Sequence, residues 1–174
     1  MQTGVVRKRR PTPLSEYGRQ LKEKQELKNQ YNLREKQMKN YVKRALGKIK
    51  HGDTPELLLQ QLERRLDNVV FRAGFAPTRR QARQMVSHGH FMFNGRKVTI
   101  PSLQVKKGDV ILVRPASVQR TLFKNLLLGI KKYEAPLWLS LNKEKLEITI
   151  LKLPSFAEAA PSVEIPLIFE FYSR

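Results

Sequence analysis

Cysteine is absent from the 174 residues, which excludes disulfides and thiolate zinc sites. No apolar run approaches the roughly 20 residues of a membrane span, and the first residues lack the apolar core of a secretory signal, so a soluble intracellular protein with no membrane partner is expected. A phosphate-cradling Gly-rich motif of the Walker type is missing, and no Ser-His-Asp arrangement can be inferred. Acidic residues are scarce: 15 Asp and Glu stand against 34 Lys and Arg, for a formal net charge of +19. None occurs from Asn68 to Gly108.

The positive charge that remains is unevenly placed. Residues 1 to 50 carry 15 Lys and Arg against 4 acidic residues, and residues 64 to 133 carry 15 against 2. Between these blocks, residues 51 to 63 have three acidic residues and no Lys or Arg, and residues 134 to 174 have 4 basic against 6 acidic. Charge of one sign at this density opposes compactness until phosphates neutralise it and release counterions, which points to a nucleic acid partner and salt-sensitive binding. Hydrophobic residues at 40% and this length suit a folded protein of one domain or two small ones.

The centre of the chain has the clearest pattern. Thr54-Pro55 is a helix start, because Thr accepts a backbone N–H as N-cap and Pro lacks the N–H that would go unpaired at the first helical position. Leu58, Leu62, Leu66, Val69 and Val70 recur at spacings of mostly three and four and predict one helix ending at Gly74, flanked by Arg64, Arg65, Asn68 and Arg72. A second helix is predicted from Thr78, with Gln81 completing a capping-box pattern, to Gly89. Arg79 and Arg83 are i,i+4 neighbours and Arg80 and Arg83 are i,i+3 neighbours, which gathers three guanidinium groups on one side while Ala82, Met85 and Val86 face a core. Like charges this close repel, and an anionic partner resolves the repulsion.

Phe91, Met92 and Phe93 then lead into Asn94-Gly95, suited to a type I′ turn because both central positions need positive φ; Arg96, Lys97, Val98 and Ile100 form the return strand. The hairpin tip presents cations. A further turn at Lys107-Gly108-Asp109 precedes Val110 to Val113, apolar enough for a buried strand.

At the front, Arg7-Lys8-Arg9-Arg10 before Pro11 and Pro13 reads as a cationic extended arm. Ser15 to Leu46 favours helix, with Leu14, Tyr17, Leu21, Leu27, Tyr31, Met38, Tyr41, Val42 and Leu46 as core positions and an interruption at Asn29 to Asn32. Tyr17, Tyr31 and Tyr41 are candidates to stack on bases, but aromatics at helical spacing pack in cores more often, and core is the favoured reading. After Val113, the pattern of Val118, Leu122, Leu126, Leu127 and Ile130 predicts another helix, with Ser117 as cap and Gly129 near its end. Leu137 to Leu141 and Leu146 to Leu153 are strand-like, and Ile165 to Tyr172 is strongly apolar. These acid-balanced segments are expected to complete the body beside the N-terminal helices.

The succession of RRLDNVVFR, TRRQARQMVSHG, FNGRKV and QVKKGDVI resembles the S4 RNA-binding domain. The resemblance extends outward. Pro13 to Tyr41 is similar to the helical part of the bacterial and organellar ribosomal protein S4 family, as are PLWLSLN (Pro136 to Asn142) and the ending IPLIFEFYSR (Ile165 to Arg174). The resemblance implies an α+β fold: a helical N-terminal body with C-terminal strands, and an S4 RNA-binding domain of two helices packed on a small sheet. The expected division is residues 1–62 as basic arm and helical body, 63–125 as the RNA-binding domain, and 126–174 as a segment completing the body.

It further implies a component of the small subunit of a bacterial cytoplasmic or an organellar ribosome. Such a component binds the 5′ domain of small-subunit ribosomal RNA early, touches neighbouring ribosomal proteins and lies near the messenger entry path. Against the family pattern, the sequence begins close to RKRRPTPLSEYG, so the N-terminal extension that in many members carries cysteines, and the contacts it makes, are not expected here. The residues expected on RNA are Arg7, Lys8, Arg9, Arg10, Arg19, Lys22, Arg44, Arg64, Arg65, Asn68, Arg72, Arg79, Arg80, Arg83, Gln84, Ser87, His88, Asn94, Arg96 and Lys97, with shape dominating base sequence. No cofactor and no metal are expected.

Enzymatic readings are weaker. Arg65-Leu66-Asp67 resembles the Arg-Leu-Asp of pseudouridine synthases, where Asp is the nucleophile, but the rest of the chain is too short to supply a catalytic domain, and Asp67 more simply pairs with a neighbouring Arg. His88 and His90 lack a third metal ligand at recognisable spacing; His near a helix C-terminus caps the helix or contacts RNA. Two binding readings stand: a permanent ribosomal component, or a stand-alone S4-domain factor associated with ribosomes.

Overall fold

A computed structural model describes residues 13–47, 54–159 and 161–173. The basic run Arg7 to Arg10 lies outside the described residues.

Ser15 caps α1 (Glu16–Gln30) by accepting the Gly18 N–H at 3.2 Å. Asn32, at φ 51°, turns the chain through the left-handed region that Asn tolerates, and α2 (Glu35–Leu46) starts where the Arg34 N–H meets Gln37 Oε1 at 3.1 Å. α3 (Thr54–Glu63) packs on α2, and near the chain end α8 (Phe156–Ala159) and α9 (Ile165–Ser173) return to α3 and α1. These helices form a body around a first core, in which Leu27, Tyr31, Met38 and Val42 meet Leu58, Leu62 and Ile168. Leu14 and Tyr17, read as core positions, instead lie at the open end of α1 and are 56% and 50% exposed, with the Tyr17 ring against Phe171 at 5.7 Å.

The sequence predicts a single helix through Gly74, but the structure contains two. α3 ends at Glu63 and α4 (Leu66–Arg72) starts after Arg64 and Arg65. The cause lies in the loop 101–105. Its Leu103 carbonyl accepts the Leu66 N–H at 2.9 Å, its Pro101 carbonyl accepts the Asp67 N–H at 3.1 Å, and its Val105 N–H donates to the Arg64 carbonyl at 2.9 Å. The donors freed at the start of α4 are thus satisfied across space instead of along the helix. The break divides the apolar stripe: Leu58 and Leu62 belong to the first core, Leu66, Val69 and Val70 to a second.

An antiparallel five-stranded sheet in the order β2-β1-β3-β5-β4 closes this second core. β1 (Phe91–Phe93) and β2 (Arg96–Val98) are joined by Asn94 and Gly95 at φ 47° and 81°, the type I′ signature. The return strand stops at Val98, and Ile100 lies exposed beyond it. β3 (Val110–Val113) pairs with β1 on one edge and with β5 (Glu147–Ile150) on the other, and β5 pairs with β4 (Leu139–Asn142). α4 packs against α5 (Arg79–Ser87), whose N-cap Thr78 accepts the Gln81 N–H at 3.2 Å and whose Ala82, Met85 and Val86 are buried. Phe75 stacks on Phe91 at 6.3 Å and Phe123 meets Phe91 edge-on at 6.2 Å. Trp138, the chain's one tryptophan, is buried in the same core.

Two further expectations change. The strand-like segments Leu137 to Leu141 and Leu146 to Leu153 are expected to complete the N-terminal body, but β4 and β5 extend the sheet instead, because β3 offers β5 a free edge and Ile148 and Ile150 turn into the second core. Of the C-terminal segment, α8, α9 and the link between them pack on the body, with Val163 in its core and the Glu164 N–H donating to Glu23 Oε2 at 2.9 Å. The helix read from Val118 to Ile130 is also two, α6 (Pro115–Val118) and α7 (Thr121–Ile130). Ser117 caps neither: it is buried, with its hydroxyl 3.0 Å from His90 Nδ1. The architecture is α+β, a helical body joined to a sheet lobe.

Candidate nucleic-acid interface

Arg80, Gln84, Ser87 and His88 on and just after α5, and Arg96 and Lys97 on the hairpin, have exposed side chains. Arg80, Gln84 and His88 line a cleft of about 370 Å³ with Thr78, Gln81, Met85 and His90. Lys97 lies across the end of α5: a Cβ on Gly89, whose φ is 69°, would stand 2.5 Å from Lys97 Cε, so glycine both turns the chain and lets the lysine stem approach. His90 is buried, held by Ser117 and edge-on to Phe123 at 5.7 Å. Burial, reinforced by the charges of Arg120, His88 and Arg114, lowers its pKa below the ordinary imidazole value, so the ring is neutral at pH 7. Ser87 donates its hydroxyl hydrogen to the Arg83 carbonyl at 2.9 Å. Asn94 is committed to the fold: its Nδ2 donates to Asp109 Oδ1 and its Oδ1 accepts the Val110 N–H, both at 2.9 Å, which ties the hairpin turn to β3.

The three arginines of α5 do not gather on one side. Arg80 points outward, while Arg83 donates to the Asn32 carbonyl at 3.0 Å. Arg79 turns inward: its Nε donates to Asn68 Oδ1 at 2.7 Å and its guanidinium lies 4.6 Å from the Tyr31 ring centroid and 4.5 Å from that of Phe71. Burial pulls the Arg79 pKa down, only partly offset by Tyr31 and Glu63, yet an arginine stays charged.

Beneath Arg79 lies Glu63, fully buried. Its carboxylate accepts from the Tyr31 hydroxyl at 2.6 Å, from Asn68 Nδ2 at 2.8 Å, and from Arg72 Nε and Nη2 at 2.9 and 2.8 Å, with Arg79 Nη2 3.8 Å away. Arg72 also donates to the Ala159 carbonyl at 3.0 Å. Burial, then the carboxylate beside it, pushes the Tyr31 hydroxyl far above its ordinary pKa. Nearby, Arg65 holds the Asp67 carboxylate through Nε and Nη2 at 3.0 and 2.6 Å and donates from Nη1 to the Tyr41 hydroxyl at 2.8 Å. Burial opposes the Arg65 charge, but Asp67 and Tyr41 outweigh it and hold the pKa above the ordinary value. Asp67 is therefore engaged by its arginine.

Of the expected RNA residues, then, Arg65, Asn68, Arg72 and Arg79 are lodged between the two cores. Glu63 is the residue that sequence reasoning missed, and its signal was an acid directly before Arg64-Arg65, at the edge of a cationic block. Arg19 and Lys22 are exposed on α1. Arg44 and Arg64 share a cleft between α2 and the loop 101–105: a part of about 190 Å³ includes Gln37, Asn40, Arg44 and Gln104, and an adjoining part of about 350 Å³ includes Arg44, Gln61, Arg64 and Gln104. Arg64 Nε donates to the Val105 carbonyl at 2.8 Å.

Comparison with known proteins divides the chain at this same break. The family described as ribosomal protein S4/S9 N-terminal domain matches residues 1–63, and the S4 domain matches residues 64–111. The small ribosomal subunit protein uS4 of Chloroflexus aurantiacus is 49% identical over 175 residues, 99% of this chain and 83% of its own length. The chain belongs to the uS4 family of small ribosomal subunit proteins. The uS4 protein of Persephonella marina is 49% identical over 94% of this chain and 80% of its own, and the uS4A protein of Symbiobacterium thermophilum 47% identical over 96% and 78%. Among the described residues, no helix is long and apolar enough to cross a membrane.

Proposed function

We propose that the chain is a structural, non-catalytic component of the small subunit of a bacterial ribosome, where it binds small-subunit ribosomal RNA and touches neighbouring ribosomal proteins. The observation that carries the reading is the cleft on α5, whose lining of Arg80, His88 and amide side chains contains no carboxylate, with the hairpin's Lys97 laid across its helix end. Such a surface suits phosphate oxygens and the shape of a folded RNA more than base sequence. The body adds exposed cations of its own, Arg19, Lys22 and Arg44. Kinship through the body helices to near the chain end supports a ribosomal component over a stand-alone factor that shares one domain.

The test is combined charge reversal, Arg80→Glu, Arg96→Glu and Lys97→Glu, at positions with exposed side chains. Affinity for a small-subunit ribosomal RNA transcript falls about a hundredfold at 0.15 M salt, and the dependence of log K on log salt flattens by about two to three units, while the circular dichroism spectrum is preserved. Unchanged affinity would remove this surface from RNA binding.

A further inference from the structure

Glu63 is the last residue of α3, and its partners come from both sides of the break that follows it. Tyr31 closes α1 and belongs to the first core; Asn68 and Arg72 lie on α4 and Arg79 on α5, which cover the second. Arg72 adds a bond back to the body through the Ala159 carbonyl, so one carboxylate and one guanidinium stitch α1, α3, α4 and α8 together.

Burying a carboxylate is costly, and a well-packed apolar group often serves stability as well. What an apolar contact does not supply is direction, because hydrophobic burial is non-directional whereas a bidentate arginine–carboxylate pair fixes an angle. The cations of the two lobes are separated by this junction. A folded RNA presents phosphates at fixed spacing, so a protein whose lobes are already set loses less freedom on binding.

We infer that Glu63 is a positioning residue for RNA binding: by holding Arg72, Asn68 and Tyr31 it fixes the helical body against the sheet lobe, so that the cations of both meet one folded RNA together. The inference rests on the RNA-binding reading above. It also separates Arg72 and Arg79 from the residues that touch phosphate, since Arg72 gives Nε and Nη2 to Glu63 and Arg79 gives Nε to Asn68 inside the protein.

Glu63→Gln and Tyr31→Phe test it. The first removes a negative charge, so a direct role for the released arginines would raise affinity for any RNA. The second deletes one hydroxyl and leaves the ring beneath Arg79. Affinities are measured for a full small-subunit ribosomal RNA transcript and for polyuridylate, and spin labels on Lys39→Cys and Glu144→Cys, unique in a chain without cysteine, report the distance between lobes. Glu63→Gln lowers preference for the ribosomal transcript about tenfold with polyuridylate binding kept, and broadens the label distances; Tyr31→Phe does the same by about threefold. Equal losses on both RNAs, or preference kept in both variants, overturns the inference. A parent protein with no preference for the ribosomal transcript would overturn the proposed function as well, which distinguishes the two failures.

Discussion

Arginine serves two opposite purposes here, and the side chain's planar fork suits both. Turned inward at Arg65 and Arg72 it grips a carboxylate with two nitrogens; turned outward at Arg80 and Arg96 it leaves those nitrogens open to solvent, in the geometry that suits a phosphate. Lysine in the inward positions would keep the charge and lose the paired geometry. Burial likewise decides the state of His90. Its folded pKa is lowered below the value of about 6.5 expected for an unfolded chain, so on acidification the unfolded state takes up the proton first. His90 therefore favours the folded state least at low pH: stability is fully present above about pH 6.5 and declines as pH falls through the lowered folded pKa. Urea midpoints at pH 7.5 and 5.5 should fall more steeply in the parent than in His90→Asn, which keeps a polar partner for Ser117. Equal slopes would show that this ring does not carry the pH dependence.

At the scale of elements, the turn from α3 into α4 is held by a short-range salt bridge under long-range cover. Asp67 accepts from Arg65 and from the Asn68 N–H at 2.8 Å, placing a negative charge at the start of α4. Asp67→Ala leaves the Arg65 guanidinium buried without its carboxylate and should destabilise the protein by about 3–5 kcal/mol in denaturant titration; a loss under about 1 kcal/mol would contradict the role assigned to the pair. The same region shows what the sequence made legible. The hairpin could be read because Asn94-Gly95 contains its own geometry, and α5 because Thr78 and Gly89 bracket it locally. The α3–α4 break could not, since its cause is the loop 101–105, distant along the chain. Pairing of β3 with β5 is equally non-local, and an alternating apolar segment does not name the edge it will join. In the site, Arg80, Arg96 and Lys97 are recognisable as exposed cations, whereas Arg79 differs from Arg80 only through partners on other helices, the Asn68 amide and the Tyr31 and Phe71 rings.

For the whole molecule, +19 is a load that folding alone does not relieve. Salt should therefore act with opposite signs on its two equilibria. Going from 0.1 to 1 M shortens the screening length from about 10 to about 3 Å, which weakens self-repulsion and raises the melting temperature of the free protein. The same change weakens RNA binding by removing the gain from counterion release. A melting temperature that falls with added sodium chloride would mean that attractive surface pairs outweigh the excess charge.

The placement of Trp138 has an optical consequence. It is the chain's one indole and sits immediately before β4, packed among sheet-lobe residues. Its ultraviolet emission reports the environment of that lobe, while the helical body holds none of this fluorophore. An emission trace and a helix-sensitive trace recorded on one sample will superimpose only if both cores dissolve in a single step.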